Sequence, residues 1–337
     1  MQSSIAYRYL YILTSSTLSV LPTKPSKGPR SAIGNASRRC FQNKVNNKSS
    51  FLTLKLSKQS NNRTQRLIGN MAMISLGLDT KELAHQYEAV SEAQYQAGLS
   101  LLKKLEITAG QRVLDVGAGT GRLASYAASL VGQDGRVIGI DPLEDRINVA
   151  RSKNQPNLSF DVGDAQDLSQ FDSASFDVAY LNCVLHWLPD QLGALNQIAR
   201  VLKPGGRLGI LGGSGDRPPV FETIKKHVLS HERYRDYPES TGNVANFPTQ
   251  HELESLLQAA GLCGTASFTE RSIITMQDAE SMLGWLDAST FGNYVGHLPK
   301  NLCDTARNEL GKEFEQLRTD RGVEMEMVWL GAVAIQV

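Results

Sequence analysis

An α/β protein built on a doubly wound, largely parallel sheet is what this sequence predicts, and three observations carry that prediction. The run Val113-Leu114-Asp115-Val116 is a short apolar strand ending in Gly117, Gly119 and Gly121, and it opens into helical periodicity at Leu123, Ala124, Ala127, Ala128 and Leu130. Further apolar runs alternate with helical segments as far as residue 211. Polar residues recur near the ends of those runs, at Asp115, Asp141, Asp164 and Asn182. In an open parallel sheet the carboxyl ends of the strands line one crevice, so these four are expected to converge.

The glycine turn after the first strand permits backbone angles that a side chain would forbid and lets a ligand lie against the main chain. Its spacing is Gly-x-Gly-x-Gly, with Arg122 where a dinucleotide fingerprint has its third glycine. That suits a ligand without a pyrophosphate. The second run, Val137 to Ile140, ends in Asp141-Pro142, about twenty positions beyond Gly121. A carboxylate there can accept ribose hydroxyls, and it can equally cap a helix over 143–153. The third run, Leu158 to Val162, ends in Gly163-Asp164-Ala165. The fourth, Phe176 to Leu181, ends in Asn182 before Cys183-Val184-Leu185-His186-Trp187-Leu188-Pro189-Asp190, and the fifth, Arg207 to Leu211, is introduced by Leu202-Lys203-Pro204-Gly205-Gly206.

Taken in order, VLDVGAGTGRL, VIGIDP, VGDAQDL, FDVAYLNCVLHWLPD and VLKPGGRL resemble a class I S-adenosylmethionine-dependent methyltransferase over residues 85–215. The LHWLPD segment is similar to the trans-aconitate and malonyl-carrier methyltransferase group. The resemblance implies a Rossmann-like seven-stranded, mostly parallel sheet with helices on both faces, and S-adenosyl-L-methionine as cofactor. It implies that Gly117, Gly119 and Gly121, with Thr120 among them, pass under the methionine part of the cofactor while Asp115 anchors its amino group directly or through water. Asp141 would hold the ribose, Pro142 or Leu143 would lie against the adenine, and Asp164 and the Ala165 backbone would take the adenine edge. Asn182 would present its main chain near the methionyl end.

His186 is the candidate catalytic base, since an imidazole titrates near neutrality, and Trp187 beside it reads as packing. A leading helix over Ala84 to Leu105 would cap the cofactor, bringing Tyr87 or Gln94 within reach of it. Residues 213–248 read as a substrate lid, interrupted by Gly213, Gly215, Pro218 and Pro219, with Arg233 and Arg235 as candidate anion binders. Thr249-Gln250-His251-Glu252 has the pattern of a capping box. Ser267 to Ile274 is expected as a strand, Thr275 to Leu286 and Leu302 to Leu317 as helices, and the stretch Val323 to Val337 as the final strand region.

Residues 1–78 hold twelve Lys and Arg and no Asp or Glu, leaving 23 basic against 34 acidic residues in the rest of the 337-residue chain. The first 78 residues therefore read as a disordered leader resembling a transit peptide, and 79–337 as the methyltransferase domain. Mitochondrion is the first expectation. Plastid, or cytoplasm if translation starts at Met71 or Met73, are the alternatives. A net acidic domain does not favour nucleic acid, and the apolar run Tyr9 to Leu13 is too short for a membrane span. The four cysteines form no Cys-x-x-Cys pair, so no metal site is expected; arsenite methylation, which uses several thiolates, ranks low.

Two functions remain: methyl transfer to a small-molecule acceptor, at a carboxylate or hydroxyl oxygen, with N-methylation as a variant, or a non-catalytic mitochondrial assembly factor on the same fold. The intact cofactor residues favour catalysis.

Overall fold

The computed structural model describes residues 75–237 and 245–337. Most of the expected leader lies outside these residues, but its last positions do not behave as a leader. Leu76–Leu78 form a 3-10 turn, and the Ser75 N–H donates to Asn293 Oδ1 at 2.9 Å, so this end belongs to the folded domain.

The sheet runs β3-β2-β1-β4-β5-β8-β6: β1 Arg112–Val116, β2 Arg136–Asp141, β3 Leu158–Val162, β4 Phe176–Asn182, β5 Leu202–Gly213, β6 Leu262–Met276 and β8 Gly322–Gln336. β1 to β5 are parallel neighbours, whereas β8 pairs antiparallel with both β5 and β6. A two-residue β7, Arg318–Thr319, folds back on β8 and adds an eighth strand to the seven expected. Both faces of the parallel core are covered, which is why its strands are apolar without alternation. Val113 packs in the cluster on one face and Leu114 and Val116 in the cluster on the other.

Helices α1 Lys81–Val90, α2 Glu92–Leu105, α3 Arg122–Val131, α4 Glu144–Arg151, α5 Gln191–Val201, α6 Val220–Leu229, α7 Gln250–Ala259, α8 Ala279–Ser289 and α9 Lys300–Glu315 complete the domain. The leading helix is two helices, broken at Ser91, whose ψ of 26° leaves the helical region. The capping box of α7 is present, with the Glu252 N–H donating to Thr249 Oγ1 at 3.2 Å and the Thr249 N–H to Glu252 Oε2 at 2.8 Å. At the other end of the chain, Thr275 and Met276 continue β6, and α8 starts only at Ala279, because Asp278 caps it by accepting from the Ser281 N–H at 2.8 Å.

The strand order reverses at β1, so the loops after β1 and β4 part there and open a crevice at the carboxyl edge.

Candidate active site

The crevice begins with the glycine turn. Gly117, Gly119 and Gly121 take φ of 79°, 54° and 78°, left-handed values that favour glycine. The Gly117 and Ala118 N–H groups both donate to the Ile140 carbonyl at 2.8 Å, tying the turn to β2. Asp141, at the end of β2, holds it from the other side: Oδ2 accepts from the Gly119 N–H at 2.9 Å and Oδ1 from the Leu143 N–H at 3.0 Å. Asp141 therefore braces the loop, while Leu143 rather than Asp141 is the N-cap of α4. Burial pushes its carboxyl above the usual range. A carboxylate has about four lone-pair positions, so two remain for a ligand.

A cavity of about 580 Å³ opens over this turn, within the range of cofactor and drug-sized sites. Of the residues singled out in the sequence, Gly117, Gly119, Asp141, Pro142, Asp164, Ala165, Asn182 and His186 line it, and Asp115, Thr120 and Gly121 do not. Gly121 is a packing glycine, since a Cβ there would lie 2.5 Å from the Phe160 ring and 3.0 Å from Ala150. Thr120 is buried beside it. Asp115 points sideways along the sheet to its register partner on β4, Tyr180, whose hydroxyl donates to Oδ2 at 2.7 Å. Burial pushes Asp115 up to about 7. It stands behind the turn rather than among the residues of the cavity wall.

His186 does face the cavity, in a short 3-10 turn Leu185–Trp187 after β4. Its ring is clamped between Trp187 and Phe247, with centroids 4.6 Å away on each side. It also abuts Gly212, where an added Cβ would come within 2.8 Å of Nδ1. Burial lowers its pKa to about 3, so the imidazole is neutral. It can accept a hydrogen bond but holds a proton poorly, which weakens the case for a general base.

The rest of the wall comes from segments the sequence did not single out as lining. Trp285, Ser289, Thr290 and Phe291 arrive from the end of α8 and the turn after it, and Met327 and Trp329 from β8. Tyr87 and Gln94 line the cavity too, as the leading segment suggested. Arg146 of α4 joins the two sides: its Nε and Nη2 donate to Asp79 at 3.0 and 2.9 Å, and Nη2 also to the Ala288 carbonyl at 2.8 Å. The guanidinium lies between the Tyr87 and Phe291 rings, 4.5 and 4.6 Å from their centroids. Helix-facing arginines have no spacing signature, so this one was not legible in advance.

Of the lid, Gly213, Phe221 and Ala245 to Phe247 reach the cavity. Arg233 and Arg235 do not, contrary to expectation. Arg233 pairs with Glu309 at 2.9 Å and Arg235 with Glu232 at 3.0 Å, both on the outer surface. Cys183 lines the cavity with its thiol pushed up to about 12 by burial, and Cys303 lies away from it on α9. No cluster of potential metal ligands occurs among the described residues, and none of their helices is long and apolar enough to cross a membrane.

A nucleoside-sized cavity at the switch point of a 3-2-1-4-5 parallel order, with an acid closing β2 against a glycine turn, defines a Rossmann-like nucleoside site. The chain belongs to the class I S-adenosylmethionine-dependent methyltransferases, and S-adenosyl-L-methionine is its cofactor. A methyltransferase domain family matches residues 107–261. A demethylmenaquinone methyltransferase of Staphylococcus carnosus is 34% identical over 176 residues, covering 48% of this chain and 71% of that protein. An arsenite methyltransferase of Mus musculus is 34% identical over 140 residues, covering 38% of this chain and 36% of that protein. The solved YcgJ protein of Bacillus subtilis covers 72% of this chain and 98% of its own, at 22% identity and a TM-score of 0.49.

The cavity fits the cofactor on a further count. Asn182 Nδ2 donates to the Gln94 carbonyl at 3.0 Å, but its buried Oδ1 has no hydrogen-bond partner. Such an atom costs roughly 1–3 kcal/mol until a donor meets it, and the cofactor's ammonium is a donor.

Proposed function

We propose that this enzyme methylates a neutral, flat, ring-bearing small molecule, with the acceptor atom a hydroxyl oxygen or a ring carbon rather than a carboxylate. One observation carries the reading. All three tryptophans of the chain, Trp187, Trp285 and Trp329, line the cavity together with Phe221 and Phe247, and the charged side chains in its wall are Asp141 and Asp164, on the nucleoside side, and Arg146, whose charge is already matched by Asp79. Aromatic walls suit an aromatic guest, and a carboxylate would be desolvated there without a counter-charge. The Staphylococcus carnosus relative, whose name gives a quinone acceptor, supports the same class. The arsenite relative supports it less, because this cavity offers one thiol, kept protonated, where arsenic would want several.

On this reading Asp141 takes the ribose, Asp164 and Ala165 the adenine edge against Pro142, and Gly117, Gly119 and Asn182 the methionine portion. Bound S-adenosylmethionine supplies an electrophilic methyl on sulfur. The protein's own contribution is alignment of the nucleophile, for which effective molarities correspond to roughly 7–11 kcal/mol in favourable cases. His186, neutral and rigidly clamped, accepts a hydrogen bond from the acceptor hydroxyl and aims it. The acid-free leader would direct the chain to the mitochondrion, which imaging of a fluorescent fusion tests.

The test of the activity is a screen of the full chain with S-adenosylmethionine against phenols, naphthols, dicarboxylates and amines, following S-adenosylhomocysteine release. Turnover is expected on the hydroxylated arenes. Turnover confined to dicarboxylates or amines would overturn the reading.

A further inference from the structure

One side of the aromatic cavity is polar, and its polarity is organised around a buried glutamine. Gln94 of α2 is 6% exposed, and every group of its amide is used or fixed by neighbours. Its Oε1 accepts from the Trp285 indole N–H at 3.2 Å, its Nε2 donates to Ser289 Oγ at 2.9 Å, and its backbone carbonyl accepts from Asn182 Nδ2 at 3.0 Å. Trp285 and Ser289 are four residues apart on α8 and so share a helix face. Trp285 in turn meets the Phe221 ring edge-on at 6.1 Å, placing this face on the aromatic side of the cavity.

Because Ser289 Oγ accepts from Gln94, the hydroxyl proton is left to be donated elsewhere, and Ser289 is half-buried in the cavity wall. The next residue, Thr290, is 2% exposed, lines the same wall, and carries a hydroxyl with no hydrogen-bond partner. A threonine at a helix end commonly bonds back to the preceding turn; this one does not. The Ser289 hydroxyl, aimed by Gln94, and the adjacent buried, unpaired hydroxyl of Thr290 thus sit in the stretch of wall that Trp285 and Phe291 also form.

We infer that Ser289, positioned by Gln94 and seconded by Thr290, is the specificity determinant that reads an oxygen function on the acceptor ring, so that the enzyme selects hydroxy- or oxo-arenes over plain ring hydrocarbons. The inference rests on the ring-acceptor reading above and deepens it. Ser289 donates to the ring oxygen, and Gln94 is a positioning residue that acts through it. A site built to hydrogen-bond an oxygen rejects analogues lacking it, because its own donor is then buried unpaired.

The experiment is titration of the full chain, with S-adenosylhomocysteine present, by naphthol and by naphthalene, followed by quenching of the cavity tryptophans. Calorimetry of S-adenosylhomocysteine alone runs in parallel. Wild type is expected to bind both rings and to prefer naphthol by about five- to tenfold, the range of one net hydrogen bond. Ser289→Ala should bring that preference to near one while naphthalene binding and S-adenosylhomocysteine affinity stay as in wild type, which also shows that the variant is folded. Equal binding of the two rings by wild type, or a preference that survives Ser289→Ala, overturns the inference and leaves the ring-acceptor reading standing. A loss of S-adenosylhomocysteine affinity in Ser289→Ala overturns it by assigning the hydroxyl to the cofactor. If neither ring binds wild type, the ring-acceptor reading itself falls, and the inference with it.

Discussion

The two sides of the cavity are built by different means. The nucleoside side is made of loops at the carboxyl ends of consecutive parallel strands, where backbone N–H groups and short polar side chains such as Asp141 and Asn182 face inward. The acceptor side is made of large side chains sent in from α6, α8 and β8, segments spread over more than a hundred residues of the chain. The first kind of wall is dictated by the topology of the sheet and tolerates little change. The second depends on which side chains the later segments carry, so one fold can serve many acceptors.

The comparison is broken most severely where the two sides are tied together. Arg146→Leu would leave Asp79, whose side chain is 2% exposed, as a buried charge without its partner. A loss of roughly 3–5 kcal/mol of stability is expected, read as a fall in Tm. A Tm within a degree of wild type would show that the tie carries no weight.

Next in size is Asp115, beneath the nucleoside side. Burial raises its pKa in the folded protein to about 7, from the 3.8 of a free aspartate. The unfolded chain therefore loses this proton near pH 4, whereas the folded protein keeps it to about 7. Stability from this group falls as pH rises across that window, by up to about 4 kcal/mol at roughly 1.4 kcal/mol per unit. Asp115→Asn keeps an oxygen for Tyr180 and should flatten the profile between pH 4 and 7, leaving the variant the more stable protein at pH 8. Parallel profiles for the two proteins would contradict the burial argument.

Asp141→Ala addresses the nucleoside side alone and should weaken S-adenosylhomocysteine binding by about 1.5–3 kcal/mol in calorimetry, the range for hydrogen bonds to a charged group. Unchanged affinity would remove Asp141 from the ribose. The smallest effect is expected on the other side: Trp285→Phe keeps a ring but loses the indole N–H to Gln94, costing about 1 kcal/mol in naphthol binding with S-adenosylhomocysteine binding unaltered. If both affinities fell together, the two sides would not be separable.

The same division explains what the sequence revealed. β1 to β4 and their terminal residues were legible because buried parallel strands are short apolar runs and a tight turn at the crevice needs glycine, so periodicity and composition point to the same places. Asp115 lies in the same run, but its partner was not legible there, because only the register of β1 against β4 brings it beside Tyr180. Trp285 and Trp329 carried no signal of their role, since a tryptophan in an apolar segment looks alike whether it packs on a core or walls a cavity. Gly331, in the middle of β8, resembles an interruption in the sequence, yet the strand runs through it because the Phe268 ring of β6 occupies the space a side chain would need.

Leu76 contributes to the cavity wall, and Ser75 is fastened to Asn293 just past α8. The described chain thus begins at the wall of the active chamber rather than at a remote surface. A purification tag or partner fused at that point is expected to alter acceptor association first, which kinetic comparison of differently trimmed preparations checks.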